Sequence, residues 1–347
     1  RENAIRCPRC HFQGSRTAQT PLHNLRLPLW TFAYILTEAL HIHPQVLTAS
    51  SIQRRLGVSN NTATLLKRRL QLFLREFVPV IKQIMIQEIN QHFGNDFRFP
   101  RDTASDLTRL TEKRPVVSMD TMAIFSAKKG SNGYRKRFKH NGQTASIYLS
   151  DEVALQKGKY QIGTLVHTIG IKKGPVIFDS VPDQKQRTLQ PLLDFLPPNA
   201  PTFTDQGYPW LRRYNDNHRT VNHSKRAKDR KRNVWSRERW SCNGVHSQTA
   251  EGFQRVLKHS FLSAYGYIRP EYSQLYLDEW CALKGLNLYG LERLAELKGG
   301  KVCGDGERPM QRHLVTAFPT FSTFNRLSAI LPIPQHLNAF NAENSLQ

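Results

Sequence analysis

The hydrophobic pattern changes twice along this chain. From residue 27 to about residue 90, apolar residues recur at helical spacing, which predicts several packed helices. Residues 95–114 are mostly polar and predict a linker. After residue 115, short apolar runs alternate with turn residues, and this pattern is typical of buried strands.

The region after residue 115 is predicted to form a mixed sheet with helices packed on its faces. The predicted strands are residues 116–122, 161–171, 175–181, 201–205 and 220–223. Lys172-Lys173-Gly174 lies between the second and third of them, which favours a hairpin. Apolar residues at helical spacing predict further helices over residues 184–196 and 271–283.

The segment from His246 to Lys258 predicts a helix with two different faces. Glu251 and Lys258 lie seven positions apart, about two turns, and therefore share one face. The opposite face is predicted to be apolar and to carry Phe253, Val256, Leu257 and Phe261. With this arrangement the acid can bind a metal ion, and the lysine can bind a phosphate beside it.

Residues 48–70 resemble two helices joined by a tight turn. The first predicted helix ends at Gly57, and Ser59 or Asn60 caps the second. Short polar residues near the start of the second helix suit contacts with base edges, namely Asn60, Asn61 and Thr64. Basic residues follow on its later turns, namely Lys67, Arg68 and Arg69. The pattern favours a DNA-binding helix-turn-helix over an ordinary helical hairpin because the whole chain is basic.

The charge balance points to a polyanionic partner. The 347 residues include 50 Lys and Arg against 27 Asp and Glu, a formal charge of +23. For a globular protein this basic, nucleic acid is the expected partner. The most apolar segment, residues 27–40, contains Glu38 and is too short to span a bilayer, so no membrane association is expected. Five cysteines and a polar, charged start predict a cytoplasmic protein with reduced thiols.

Cys7 and Cys10 have the spacing of one half of a zinc ribbon, which needs four ligands. No second pair with this spacing occurs in the sequence. The two residues are a candidate structural Zn²⁺ half-site if a further ligand pair precedes Arg1. For the chain as it stands, a metal-free knuckle is the expectation.

Three acids fall on separate predicted elements and carry the main chemical hypothesis. Asp120 lies in a strand, Asp205 ends another strand, and Glu251 lies on a helix. Mg²⁺ prefers carboxylate ligands, and two divalent ions can activate the attacking oxygen and stabilise the leaving oxygen of a phosphodiester. These acids are therefore candidate catalytic ligands of two Mg²⁺ or Mn²⁺ ions, and Lys258 is a candidate phosphate contact.

Two other residues compete for these roles. Asp179 also ends an apolar run, and His246 lies about one and a half turns before Glu251 as an alternative third ligand. Each remaining acid of the region is, taken alone, typical of a turn or a helix cap. These acids are Asp183, Asp194, Asp216, Asp278 and Glu279.

Two basic stretches, residues 128–139 and 219–239, interrupt the predicted sheet region and are expected to contact DNA phosphates. The candidate contacts are Lys136, Arg137, Arg230, Lys231 and Arg232. Trp235 and Trp240 in the second stretch are candidates for stacking on unpaired bases. The alternative interpretation is a pair of solvated loops.

Taken in order, these motifs resemble bacterial insertion-sequence transposases of the ISXO-like group. The resemblance runs from the first residues to about residue 290. It rests on Cys7-Pro8-Arg9-Cys10, Leu56-Gly57-Val58-Ser59, Val117-Ser118-Met119-Asp120, Phe203-Thr204-Asp205-Gln206-Gly207-Tyr208, Val221-Asn222-His223-Ser224 and the segment from His246 to Lys258.

The resemblance implies a zinc ribbon, a helix-turn-helix and an α/β ribonuclease-H-like catalytic core of the DDE type. The implied parts are a partial zinc-ribbon remnant (1–25), a helix-turn-helix region (26–94), a linker (95–114), the catalytic domain (115–298) and a tail of unassigned role (299–347). In this family pattern Asp120, Asp205 and Glu251 would be the catalytic acids.

The implied activity is DNA transposition in the bacterial cytoplasm, at the nucleoid. The protein would bind the ends of its element, cleave them with Mg²⁺ and join the freed 3′-hydroxyl to target double-stranded DNA, as a homodimer or larger assembly. Two alternatives stay open. One is a non-catalytic DNA-binding protein derived from a transposase, and the other is a nuclease of the same fold that cuts without strand transfer.

Overall fold

The computed structural model describes most of the chain up to residue 299. The described residues are 4–6, 11, 13–15, 17–18, 20–94, 96–102, 104–112, 114–125, 139–140, 143–144, 163–229, 234–265, 268 and 270–299. The chain divides into two compact units: residues 19–288 form one, and residues 1–18 with 289–347 form the other.

The helices and strands follow the predicted order. The helices are α1 (Leu29–Ile42), α2 (Ala49–Leu56), α3 (Asn60–Arg75), α4 (Val78–His92), α5 (Thr108–Glu112), α6 (Gln186–Leu193), α7 (Gln248–Tyr265), α8 (Pro270–Tyr289) and α9 (Leu291–Gly299). The strands are β1 (Ala4–Arg6), β2 (Gln13–Ser15), β3 (Val117–Phe125), β4 (Lys139–His140), β5 (Gln143–Thr144), β6 (Gly163–Ile171), β7 (Val176–Val181), β8 (Thr202–Asp205) and β9 (His218–Val221).

The smaller unit contains the antiparallel pair β1 and β2, with Ala4 opposite Ser15, and the helix α9. In the larger unit, strands β4 and β5 form a short antiparallel pair in which Lys139 lies opposite Thr144. None of the helices in the described part of the chain has the length and apolar character needed to cross a bilayer.

A five-stranded mixed sheet organises the larger unit, in the order β7-β6-β3-β8-β9. Strands β7, β6 and β3 are antiparallel neighbours, whereas β8 and β9 run parallel to β3. The mixed sheet with flanking helices and the hairpin at residues 172–174 are confirmed. The largest differences from the predicted bounds are that β3 continues to Phe125, that the last strand is His218–Val221, that α6 ends at Leu193 and that α8 continues to Tyr289.

The helical region begins with caps that the sequence specifies. The Thr48 side chain accepts a hydrogen bond from the Ser51 backbone N–H and starts α2, and Ser59 caps α3 through the Thr62 N–H. Gly57 ends α2 with a positive φ of 64°, a conformation that glycine adopts without strain. Helices α2 and α3 are therefore joined by a tight turn, as predicted.

Buried side chains join the helical region to the sheet within the larger unit. Val46 belongs to the same apolar cluster as Phe178 of β7 and Trp280 of α8. The Trp280 indole N–H donates to the Pro44 carbonyl at 3.2 Å, and the Gly285 backbone lies so close to Ile81 that an added Cβ would meet its Cδ1 at 2.5 Å. These contacts place α4 and α8 directly against each other.

The predicted linker is anchored to the larger unit. Phe99 is buried and stacks on Phe203 of β8, with ring centroids 6.0 Å apart. The Asn217 carboxamide accepts from the Phe99 backbone N–H at 2.6 Å and donates to the Phe97 carbonyl at 2.9 Å. Although residues 95–114 are mostly polar, the buried Phe99 holds this segment beside the sheet.

Candidate active site and DNA interface

Three predicted acids meet at the junction of β3, β8 and α7. Burial, together with the negative charges of Asp205 and Glu251, raises the pKa of Asp120 to about 7. The Thr121 backbone N–H and the Gln254 side chain hydrogen-bond to the Asp120 carboxylate and oppose this shift. Residues far apart in the sequence thus form one electrostatic cluster.

A serine on β3 fixes helix α7 against the sheet. The Ser118 hydroxyl donates to the Ser247 carbonyl at 3.4 Å and accepts from the Ala250 backbone N–H at 3.3 Å. Ser118 and Asp120 are two residues apart in β3, so both point to the face that α7 covers. This contact brings the first turn of α7, which contains Glu251, close to Asp120.

Each carboxylate of the cluster is oriented by a protein donor. The Asp205 carboxylate accepts from the Gly207 backbone N–H at 2.8 Å. A Cβ on Gly207 would lie 2.9 Å from that carboxylate, so a larger residue at this position would require the Asp205 side chain to shift. The Glu251 carboxylate accepts from the Ser247 hydroxyl at 2.6 Å, and His223 Nε2 lies 3.3 Å from the same oxygen.

Carboxylate oxygens are suitable ligands for a hard divalent cation. In this structure, however, the three carboxylates accept hydrogen bonds from protein groups. Among the residues that the structure describes, no three His, Cys, Asp or Glu side chains are placed so as to hold a metal ion together. Asp120 is nevertheless half-buried beside two other acids, and a cation would relieve their mutual repulsion. Side-chain rotation of Asp205 and Glu251 would be needed to bring the three carboxylates onto shared ions.

The buried stripe of α7 differs from the prediction in one position. Ala250, Gln254, Leu257 and Phe261 are buried, whereas Val256 is 39% exposed. The stripe follows intervals of three and four residues, so Val256, one residue before Leu257, is turned about 100° away from its centre. The prediction that Val256 faces the core is therefore wrong.

The sequence analysis did not identify two side chains that hydrogen-bond to Asp120 or to the neighbouring Thr121. Gln254 interrupts the buried stripe of α7 and hydrogen-bonds both Asp120 and the Thr168 hydroxyl. On the other face of β3, the Tyr208 hydroxyl lies 2.7 Å from the Thr121 hydroxyl. The sequence did contain a sign of the role of Gln254, since it is a polar residue on the otherwise apolar face of the predicted helix. The partner of Tyr208 depends on strand order, which no local pattern encodes.

The rival acids have other partners. The pKa of Asp179 is raised to about 6, because burial and the charge of Asp278 raise it more than the charge of Lys82 lowers it. Asp183 accepts hydrogen bonds from the Lys185 N–H and the Thr188 hydroxyl, and so has the role of a turn residue before α6. The charges that act on Asp179 are thus those of Lys82 and Asp278, and not those of the acids around Asp120.

Two histidines and a lysine lie around Glu251. His223 Nε2 is 2.8 Å from the Ser247 hydroxyl, so His223 and Ser247 both hold the Glu251 carboxylate. Burial and the charge of Lys172 lower the pKa of His246, whereas the charge of Glu251 raises it. Lys258 is half-buried two turns further along α7. His246 therefore stays an alternative third ligand.

The predicted base-contacting residues of α3 are accessible. Asn60, Asn61 and Thr64 are exposed on its first turns. Two of the basic residues on later turns contact other residues of the protein. The Arg69 guanidinium donates to the Pro21 and His23 carbonyls at 2.7 Å each, and Arg68 lies over the Tyr272 ring at 6.0 Å.

Lys67 does not contact DNA in this arrangement, contrary to the prediction. It is 5% exposed, and its Nζ lies 2.5 Å from the Glu279 carboxylate on α8. Glu279 is buried as well, and Gln71 Nε2 donates to it at 3.2 Å. Lys67 is at an interval of three or four residues from Ala63 and Leu70, so it belongs to the packed face of α3.

Several predicted contacts lie outside the described residues. They are Cys7 and Cys10 of the candidate zinc half-site and the basic residues Lys136, Arg137, Arg230, Lys231 and Arg232. They stay predictions from the sequence.

Comparison with known families supplies the deciding observation. Residues 128–281 match the family model of the ISXO2-like transposase domain. This part of the chain is therefore similar to the ISXO2-like transposases. The match includes Asp205 and Glu251 and begins after Asp120, which lies on β3 just upstream. Searches of curated proteins and of solved structures gave no match.

The raised pKa of Asp120 predicts that the stability of the protein depends on pH. This pKa is raised from an ordinary 3.8 to about 7, so between these values the folded state binds a proton that the unfolded state releases. The resulting stability is present below about pH 4 and is lost as the pH rises through about 7. We expect Asp120→Asn to raise the free energy of unfolding at pH 8 without metal by roughly 2–4 kcal/mol, and to change it little at pH 4.

Chemical denaturation at both pH values measures this difference. Asp216→Asn is the matched control, because the Asp216 side chain is 82% exposed. Equal effects of Asp120→Asn at pH 4 and pH 8 would contradict the prediction.

Proposed function

We propose that this protein is a DNA transposase that binds the ends of its own element, cleaves them and joins the freed 3′-hydroxyl to target DNA. The observation that carries the proposal is the half-buried Asp120 carboxylate with the charges of Asp205 and Glu251 acting on it, next to a region, residues 128–281, that matches a transposase family. A cluster of acids that repel each other is costly, and such clusters are found where a cation or catalysis requires them.

The three acids would hold two Mg²⁺ or Mn²⁺ ions. When bound, these ions would activate the attacking oxygen and stabilise the leaving oxygen of the phosphodiester. Carboxylates from a central strand, the end of a neighbouring strand and a helix match the preference of Mg²⁺ for a few protein oxygens. His246 is the alternative to Glu251 in this set.

The surrounding residues would position the acids. The Thr121 N–H and Gln254 orient Asp120, and the Gly207 N–H orients Asp205. Ser247 and His223 hold the Glu251 carboxylate near the start of α7. Lys258, on the same face of α7, would bind a phosphate of the DNA backbone.

The strand order supports a ribonuclease-H-like core. Numbered along the chain within the sheet, its strands lie in the order 3-2-1-4-5. The first, fourth and fifth strands run parallel to one another, and the second runs antiparallel to them. The third strand pairs antiparallel with the second. We further propose that residues 26–94 form a helix-turn-helix region, residues 95–114 a connecting segment and residues 115–298 the catalytic domain.

DNA recognition would use the start of α3. Asn60, Asn61 and Thr64 are exposed there, on a helix whose first turn is capped by Ser59. Short polar side chains at the N-terminal end of a recognition helix reach base edges in the major groove. The net charge of +23 would supply attraction to phosphates. A homodimer or larger assembly on paired ends, and a place at the bacterial nucleoid in the cytoplasm, belong to the same proposal.

A strand-transfer assay tests the proposal. The protein is incubated with a labelled duplex carrying the repeats that flank its coding sequence, a target plasmid, and Mg²⁺, Mn²⁺ or EDTA. We expect a metal-dependent cut at the repeat and covalent joining of the labelled strand to the plasmid. A cut without joining would favour the nuclease alternative.

A non-catalytic DNA-binding protein is the second candidate. It is favoured by one observation: within the described ranges, no three potential ligands are grouped for a metal ion. Salt-sensitive binding to the repeats, with no cutting under any metal condition, would support this candidate and contradict the transposase proposal.

A further inference from the structure

Beside Glu251 lies a group of exposed aromatic and basic side chains that the three acids do not explain. Trp235 is 45% exposed and Trp240 is 46% exposed. Each ring leaves nearly half of its surface open, although indole rings are strongly apolar. The question is what these two tryptophans bind.

Arg239 joins the two tryptophans into one unit. Its guanidinium carbon lies 4.4 Å from the ring centroid of Trp240 and 4.8 Å from that of Trp235. Arg226 lies over Trp235 at 5.6 Å. The Nε atom of Arg239 is buried and has no hydrogen-bond partner among the described residues, which fits a guanidinium held by ring stacking.

Backbone pairing holds Trp235 in place. Arg226 and Trp235 form an antiparallel bridge, and the flanking hydrogen bonds run from the Ala227 N–H to the Val234 carbonyl and from the Ser236 N–H to the Lys225 carbonyl. Trp235 therefore projects from a paired segment and not from an unsupported loop. Its exposure is a property of this local fold.

A continuous set of contacts links the aromatic unit to the acids. The His223 ring lies 5.3 Å from the Trp240 ring, and His223 Nε2 lies 3.3 Å from the Glu251 carboxylate. Only His223 thus separates Trp240 from a proposed catalytic acid. Any ligand on the tryptophans would lie beside the reacting phosphate.

We propose that Trp235 and Trp240, with Arg239 between them, form a stacking site for unpaired nucleotides at a DNA end. The inference rests on the proposed function, because that function supplies the DNA end. Every base has a face that can stack on an aromatic ring, and the arginines supply positive charge for the adjacent phosphates. The site would hold bases separated from their partners and so keep the cleaved strand next to Glu251.

Nucleotide stacking explains these features better than a protein partner. The segment is rich in basic residues, including Lys225, Arg226 and Lys228, and the net charge of the whole chain is +23. Interfaces between proteins are depleted in lysine, whereas single-stranded DNA sites combine a basic groove with exposed aromatic rings.

A binding experiment without cleavage tests the stacking site. The full chain is titrated in EDTA with two duplexes that carry the flanking repeat, one fully paired and one with its last three base pairs replaced by mismatches. A 2-aminopurine base in the mismatched end reports stacking through its fluorescence. We expect tighter binding of the mismatched duplex and quenching of the probe.

Four variants sharpen the test. Trp240→Ala and Trp235→Ala are each expected to reduce the preference for the mismatched duplex about tenfold. Trp240→Phe is expected to retain most of it, because phenylalanine keeps a ring for stacking. Trp30→Ala removes a tryptophan that is 56% exposed on α1, and it should leave the preference unchanged.

The outcomes separate this inference from the proposed function. Equal affinity for the two duplexes, or a preference that survives both alanine substitutions, would overturn the stacking site. A preference lost with either tryptophan supports the site, even if the strand-transfer assay shows no cutting. In that case the catalytic proposal fails while the stacking site stands.

Discussion

Substituting Glu251 or Asp205 should abolish metal-dependent cutting of DNA and leave DNA binding intact. We expect Glu251→Gln and Asp205→Asn each to lower the cleavage rate by roughly 10²- to 10³-fold or more, because each removes one charge that stabilises the transition state through the metal ions. Both amides are close in shape to the acids they replace. The rate is measured by single-turnover cleavage of a labelled repeat duplex in Mg²⁺.

Asp179→Asn is the matched control for this prediction. Asp179 is also a half-buried acid with a raised pKa, about 6, but its charge partners are Lys82 and Asp278. We expect this variant to cleave at close to the wild-type rate. Loss of cleavage in Asp179→Asn with retention in Glu251→Gln would reverse the assignment of the acids. His246→Ala, measured in parallel, tests the alternative third ligand.

Breaking the buried ion pair between α3 and α8 should be the most destabilising substitution that we predict. Lys67→Ala would leave the Glu279 carboxylate, which is 0% exposed, with Gln71 but without its cation. We expect a loss of about 3–5 kcal/mol in the free energy of unfolding, since removing one partner strands a buried charge. Urea denaturation at pH 7 measures it.

Two further variants separate the buried pair from helix propensity and surface charge. The double variant Lys67→Met with Glu279→Leu removes both charges and should recover most of the lost stability, because apolar side chains of similar volume can replace a buried pair. Arg55→Ala breaks the partly exposed pair with Glu38, in which the two side chains are 43% and 24% exposed, and should cost less than about 1 kcal/mol. A similar loss for Lys67→Ala and Arg55→Ala would contradict the prediction.

The buried pair also changes how α3 can be interpreted. Lys67 and Asn61 lie on the same helix, yet one packs against α8 and the other is exposed. A basic run in a helix therefore does not define a DNA-binding face, because helical spacing divides adjacent residues between two sides. Only the exposed start of α3 stays a candidate for base contacts.

Local chemistry in the sequence determined much of what the structure contains. Thr48 and Ser59 cap their helices, Gly57 ends α2, and the turn at residues 172–174 joins two strands, because each depends on residues close in the chain. The same kind of information identified Asp120, Asp205 and Glu251 as acids at suitable positions in three elements. It also identified the family resemblance that the match over residues 128–281 supports.

The tertiary structure alone decided which of these residues interact. Strand β8 pairs in parallel with β3, and the hydrogen bonds of Ser118 fix the start of α7 against the same strand, which brings the three acids into one electrostatic cluster. The burial of Lys67 and the contact between His223 and Trp240 likewise join residues that are distant in sequence. Hydrophobic periodicity specifies which face of an element is covered, whereas the partner on that face follows from strand order and packing.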